Sequence, residues 1–156
     1  MKILVIEDSR FLRTAIERTL TKAGYSVTGV ADGEEGLLAA RTTLPALILL
    51  DMMLPGLDGT CVLKSLKQDA STKTIPVIVL TGLSQRNETK LKKAGAAAFI
   101  EKSALDLGKN ADILIHAVEA LGKLPEPQVA TAAQAPQTEA TVCTALALLV
   151  RAESVP

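Results

Sequence analysis

A chain of 156 residues with 17 Lys+Arg and 17 Asp+Glu carries no formal net charge. It therefore lacks the basic surplus that draws a protein to nucleic acid or an anionic membrane regardless of sequence. Hydrophobic residues make up 48% of the chain and aromatics only 2%, so a core has to be built from Leu, Ile, Val and Ala.

The two cysteines, Cys61 and Cys143, form neither a zinc-type spacing nor a disulfide framework, and His116 is the only histidine. Lys2 leads at once into an apolar strand pattern, with no signal peptide visible. No apolar run approaches the roughly 20 residues that span a bilayer. A reducing cytoplasm is the expected setting.

In chain order, Ile3-Leu4-Val5-Ile6 is a buried-strand run. Ser9 is placed to cap a helix with Leu12, Ile16, Leu20 and Ala23 at helical spacing, ended by Gly24. Residues 25–30 alternate as a strand. Asp32-Gly33 turns, and Glu34 and Glu35 suit the positive end of a second helix, which Pro45 closes. Residues 46–50 form a wholly apolar strand that runs into Asp51. A third helix is expected over 58–68. Pro76 opens a fourth strand over 77–80 that ends at Thr81. Ser84 caps a fourth helix, stopped by Gly95, and residues 97–100 form a fifth strand before Lys102. The last helix carries Ala111, Leu114, Ile115, Val118 and Leu121 on one face.

Five strands alternating with five helices predict an α/β domain with a parallel sheet covered on both faces. In such sheets the functional site lies at the carboxyl ends of the strands. The residues there are Glu7-Asp8, Asp51, Thr81 and Lys102. Three carboxylates at one edge need a cation, and oxygen-only ligands suit Mg²⁺. A carboxylate beside Mg²⁺ can attack a phosphoryl group. A lysine can pair with that group as a point charge, and a threonine hydroxyl can donate to its oxygens.

Four segments carry a resemblance. They are Ile6-Glu7-Asp8-Ser9, the run from Leu50-Asp51-Met52-Met53 through Leu54-Pro55-Gly56-Leu57-Asp58-Gly59, then Val79-Leu80-Thr81-Gly82, and Gly95-Ala96-Ala97-Ala98-Phe99-Ile100-Glu101-Lys102. Together they resemble the receiver domain of two-component response regulators, over residues 1–121. The resemblance implies a doubly wound, flavodoxin-like sheet of order 2-1-3-4-5. It implies a phosphorelay signalling module rather than an enzyme, with Asp51 as phospho-acceptor. Mg²⁺ would be held by Asp8, by Glu7 largely through water, by Asp51 and by the Met53 carbonyl. Thr81 and Lys102 would contact the phosphate, and Thr81 with Phe99 would form the switch pair. The implied partners are a histidine kinase or histidine phosphotransfer protein, and a protein target on the face of helix four, strand five and helix five.

Three positions depart from the family pattern: Ser103 stands where a proline usually follows the lysine, Met53 replaces a frequent polar residue, and Phe99 replaces tyrosine. Ser103 and Asp106 are expected instead to pair as a cap for the last helix. Arg10 and Arg13 either solvate the first helix or meet a partner near the acids. Cys61 is expected half-buried on helix three, and His116 on the surface.

Other functions fit less well. A flavin or nucleotide site on this fold needs a Gly- or Ser/Thr-rich loop after strand one, where Glu7-Asp8 would repel a phosphate. An aspartyl-phosphate phosphatase would place its nucleophile after strand one, not strand three. A receiver that had lost phosphorylation would not be expected to keep the acids and Lys102. Residues 122–141, with Pro125, Pro127 and Pro136, are expected as a flexible linker, and 142–156 as an apolar tail, helical or disordered. The stretch after Leu121 is too short for a DNA-binding module, so a single-domain regulator without direct DNA binding is expected.

Overall fold

The computed structural model describes residues 1–82, 88–105 and 111–122. Strands β1 (Lys2–Ile6), β2 (Ser26–Val30), β3 (Leu47–Asp51), β4 (Val77–Thr81) and β5 (Ala98–Glu101) alternate with helices α1 (Arg10–Lys22), α2 (Gly33–Thr43), α3 (Gly59–Gln68), α4 (Glu88–Lys93) and α5 (Ala111–Gly122). All pairings are parallel, in the order β2-β1-β3-β4-β5, as expected. Ser84 and Asp106, expected as capping residues, lie outside the described residues, as do the tail and all of the linker except Gly122, which ends α5.

The apolar strands are buried on both faces because successive side chains point to opposite sides. Leu4, Ile6, Ile48, Leu50, Val77 and Val79 face one layer, against Leu37 of α2, Val62, Leu63 and Leu66 of α3, and Leu91 of α4. Ile3, Val5, Leu47, Leu49, Ile78 and Leu80 face the other, against Ile16 and Leu20 of α1 and Leu114 and Val118 of α5. Truncating one of these, Leu63→Ala for instance, costs about 2–5 kcal/mol through lost transfer energy and the cavity left behind.

Local chemistry sets the helix boundaries. Ser9 Oγ accepts from the Leu12 amide at 3.4 Å and starts α1. Asp32-Gly33, read from sequence as a turn, instead starts α2: the chain bends at Asp32. Asp32 caps α2 by accepting from the Glu35 amide at 2.7 Å, and Gly33 is the first helical residue. Glycine is needed there for closeness: a Cβ would lie 2.6 Å from Val62 Cγ2, so α2 and α3 touch. Leu44 ends α2 in the left-handed region, φ 44°, with its amide donating to Ala40 O at 3.1 Å, and Pro45 follows, which cannot continue the helix.

Gly59 matters most for the functional edge. Its amide donates to Met52 O at 3.2 Å, and a Cβ would lie 2.5 Å from both Asp51 O and Met52 Cα. The start of α3 therefore rests directly on the backbone that carries Asp51.

Candidate functional site

Parallel strands deliver all their carboxyl ends to one edge, and the charged residues of the sequence reading meet there. Glu7, just past β1, is wholly buried, and Asp51, the last residue of β3, is 1% exposed. Asp8 faces solvent. Carboxylate oxygens of Glu7, Asp8 and Asp51 lie within 4.8 Å of one another. Lys102, just past β5, reaches into the same place: its Nζ is 2.7 Å from Asp51 Oδ2, 2.9 Å from Glu7 Oε2, and donates to Glu7 Oε1 at 3.1 Å.

Backbone donors hold two of the carboxylates from the other side. The Ser9 amide donates to Glu7 Oε1 at 3.1 Å, and the Met53 amide donates to Asp51 Oδ1 at 3.1 Å. Glu7 Oε2 and Asp51 Oδ2 are buried, and what each meets is the Lys102 ammonium, at 2.9 and 2.7 Å but poorly aligned to donate, so neither oxygen is fully satisfied. Such atoms are rare in folded proteins and mark a place where a partner belongs. Burial pushes the Glu7 carboxyl above its ordinary value; the Lys102 hydrogen bond and charge oppose this, while the Asp51 charge reinforces it. Burial pulls the Lys102 ammonium down, but its hydrogen bonds and charge contacts with Asp51 and Glu7 outweigh that and leave it raised.

Three carboxylates gather around a single ammonium. The donor set is oxygen only, and two of its oxygens are buried without aligned donors. These residues fit a hard divalent cation.

The remaining expected site residues line the same edge. Asp51 pairs in register with Leu80, which places Thr81 one residue beyond. Thr81 is half-buried and shares a groove of about 1150 Å³ with Met53, Gly82 and Phe99. Met53 is 76% exposed, and its observed contact with the site is its backbone amide on Asp51 Oδ1. Phe99 lies opposite Val79 in register, half-buried against the layer of α2, α3 and α4. The Lys92 ammonium sits 5.8 Å from its ring centroid. Ser103 lies in a single 3₁₀ turn, Lys102–Ala104, and its hydroxyl is 3.4 Å from Glu101 Oε2. No cis peptide occurs among the described residues.

Cys61 is half-buried on α3, as expected, but is disulfide-bonded, where the sequence reading saw no disulfide framework; His116 is exposed on α5, as expected. Arg13 was placed by sequence on the solvated or partner-facing side of α1; its guanidinium instead donates to Glu7 O at 2.7 Å, behind the acids.

The model of the response regulator receiver domain matches residues 3–111. The chain belongs to this family. Among relatives of this receiver, the response regulator PleD of Caulobacter vibrioides is 37% identical over 107 residues, 68% of this chain and 24% of that protein. The alkaline phosphatase synthesis transcriptional regulatory protein PhoP of Bacillus subtilis is 44% identical over 102 residues, 65% of this chain and 42% of that protein. The chain thus spans less than half the length of either. Among solved structures, the Francisella response regulator 1452 receiver domain aligns with TM-score 0.69 and 31% identity, over 78% of this chain and 96% of that one. The BeF3-activated receiver domain of Klebsiella pneumoniae RstA aligns with TM-score 0.71 and 26% identity, over 80% and 100%. Among the described residues no helix is long and apolar enough to cross a membrane.

Proposed function

We propose that this receiver takes a phosphoryl group on Asp51 from a histidine kinase or histidine phosphotransfer protein, and passes the signal on by protein contacts, in the cytoplasm and without binding DNA itself. Asp51 Oδ2, buried, without an aligned donor and 2.7 Å from Lys102 Nζ, is the observation that carries this reading. The Met53 amide holds Oδ1, which leaves Oδ2 as the oxygen to attack phosphorus. The P–N bond of the donor breaks as the new P–O bond forms, and the departing imidazole keeps the bonding pair.

Glu7, Asp8, Asp51 and the Met53 carbonyl would hold Mg²⁺, which when bound offsets charge on the acceptor and on the phosphoryl oxygens. Lys102 then turns its charge to the phosphoryl group, and Thr81 donates a hydroxyl hydrogen bond to it. That movement of Thr81 opens room beside β5 for Phe99, which has no hydroxyl to leave unpaired on burial. The surface of α4, β5 and α5 changes with it, and a protein target reads that surface. The chain carries out no turnover of its own in this scheme; it is a switch.

Intact-mass measurement after treatment with a small phosphodonor tests this. One added phosphoryl group is expected with Mg²⁺ and none in chelator. An Asp51→Asn protein that labels as fully as the wild type would refute the assignment.

A further inference from the structure

We infer that Arg13 is a positioning residue for the acidic loop: its guanidinium clamps the Glu7 and Asp8 carbonyls, so that both carboxylates are presented to the cation together. The inference deepens the phosphoryl-acceptor reading above and rests on it.

Arg13 belongs to the first turn of α1, anchored by its own amide, which donates to Ser9 O at 2.8 Å. Its side chain folds back toward the end of β1. There Nη1 donates to Glu7 O at 2.7 Å, with Asp8 O at 3.4 Å. The other groups of Glu7 are tied as well: its amide donates to Val30 O at 3.1 Å, and Oε1 accepts from Ser9 N and Lys102 Nζ. Oε2 has the Lys102 ammonium at 2.9 Å but no aligned donor. Arg13 therefore completes a frame that leaves Glu7 one unsatisfied direction. Asp8, exposed and lacking that frame, is fixed chiefly through its backbone.

The sheet makes room for this clamp. Gly29 of β2 lies beneath the Arg13 stem: a Cβ there would sit 3.0 Å from Arg13 Cδ and far inside contact with the Glu17 carboxylate. The path of Arg13 from α1 to the carbonyls thus crosses β2 at its glycine.

Charge and geometry make opposite predictions, which allows a decision. A guanidinium beside a cation site repels the cation, so charge alone says that removing Arg13 tightens Mg²⁺ binding. Loss of a group that orients ligands weakens metal binding by about tenfold or more. We expect the geometric effect to win, because a screened charge near solvent acts weakly whereas the Glu7 carbonyl would lose its donor.

The experiment is isothermal titration of Mg²⁺ into the full chain, with the Mg²⁺ dependence of Asp51 labelling followed in parallel. Arg13→Met should weaken Mg²⁺ binding about tenfold. The labelling rate at saturating Mg²⁺ should stay within about twofold, since a positioning role is overcome by excess cation. Arg13→Lys, which keeps a donor, should recover most of the affinity. Unchanged or tighter Mg²⁺ binding in Arg13→Met would overturn the inference, and so would a saturated rate that falls as much as the affinity does. If Arg13→Met does not fold, Arg13→Lys against Arg13→Gln gives the same comparison. A wild-type chain that binds Mg²⁺ but takes up no phosphate would sink the phosphoryl-acceptor reading and leave the Mg²⁺ comparison standing.

Discussion

Replacing Lys102 with alanine removes the ammonium that lies 2.7 Å from Asp51 and 2.9 Å from Glu7, both buried. Removing one partner of a buried ion pair costs about 3–5 kcal/mol, because the other charge stays in a poor solvent. Two features of the site bring the value to the low end. The Lys102 side chain is 23% exposed, and Glu7, already raised by burial, can take up a proton. The expected loss is about 3 kcal/mol in chelator at pH 8, out of roughly 5–15 kcal/mol for a domain.

Without Lys102 the Glu7 carboxyl rises further, so the folded state binds the proton more tightly than the unfolded chain does. That contribution is complete below the unfolded value near 4.5 and is lost as pH rises through the folded one. The variant should therefore lose less at pH 5 than at pH 8. Mg²⁺ should restore about half of it: a cation at ten times its dissociation constant adds about 1.4 kcal/mol. At one fixed Mg²⁺ concentration the gain should be larger in the variant than in the wild type, because no ammonium competes there. Urea unfolding in chelator and in Mg²⁺, at both pH values, measures all of this. Equal stability of variant and wild type in chelator at pH 8 would refute the charge-balance argument.

Gly59→Ala should cost about 2 kcal/mol and slow Asp51 labelling, because its Cβ meets backbone that cannot swing aside; denaturant midpoints and labelling rates report the two effects. Thr72→Val should cost about 1–2 kcal/mol in thermal unfolding, since the buried Thr72 hydroxyl donates to Leu66 O at 2.8 Å near the end of α3. Hydrogen bonds from the Ser71 side chain and backbone, with the Arg41 guanidinium, outweigh burial and hold the Asp69 carboxyl below its ordinary value. Its stabilisation is thus present above about pH 4 and lost as pH falls through the folded value, so Asp69→Asn should lower the thermal midpoint at pH 7 and make no difference in strong acid.

The strands were legible because apolar runs of four or five residues leave few ways to be buried, and the acids and Lys102 stood directly at their ends; the strand order came only with the family resemblance. The Ser9 cap was legible for a similar reason: its signal is local, three residues from the amide it binds. What escaped depended on where a long side chain goes after it leaves the backbone. Arg13 reads as a surface residue on any helical wheel; its turn back to Glu7 requires knowing that β2 carries Gly29 beneath it. Asp32-Gly33 fits a turn and a helix start equally well by composition, and the choice follows from the approach of α3 at Val62. The joint grip of Lys102 on Glu7 and Asp51 belongs to the same class. Sequence placed the lysine at the right edge but could not show that it serves two acids.

That lysine lies 95 positions after Glu7, which sets an order of events during synthesis. Chains emerge from the ribosome amino end first, and β1, β3 and β4 can pair before β5 has been made. At that stage Glu7 and Asp51 would be brought together in a closing interior with no ammonium between them. Their proximity would then work against closure of the nascent sheet until residue 102 has emerged. The last strand to arrive carries the charge that lets the first one settle.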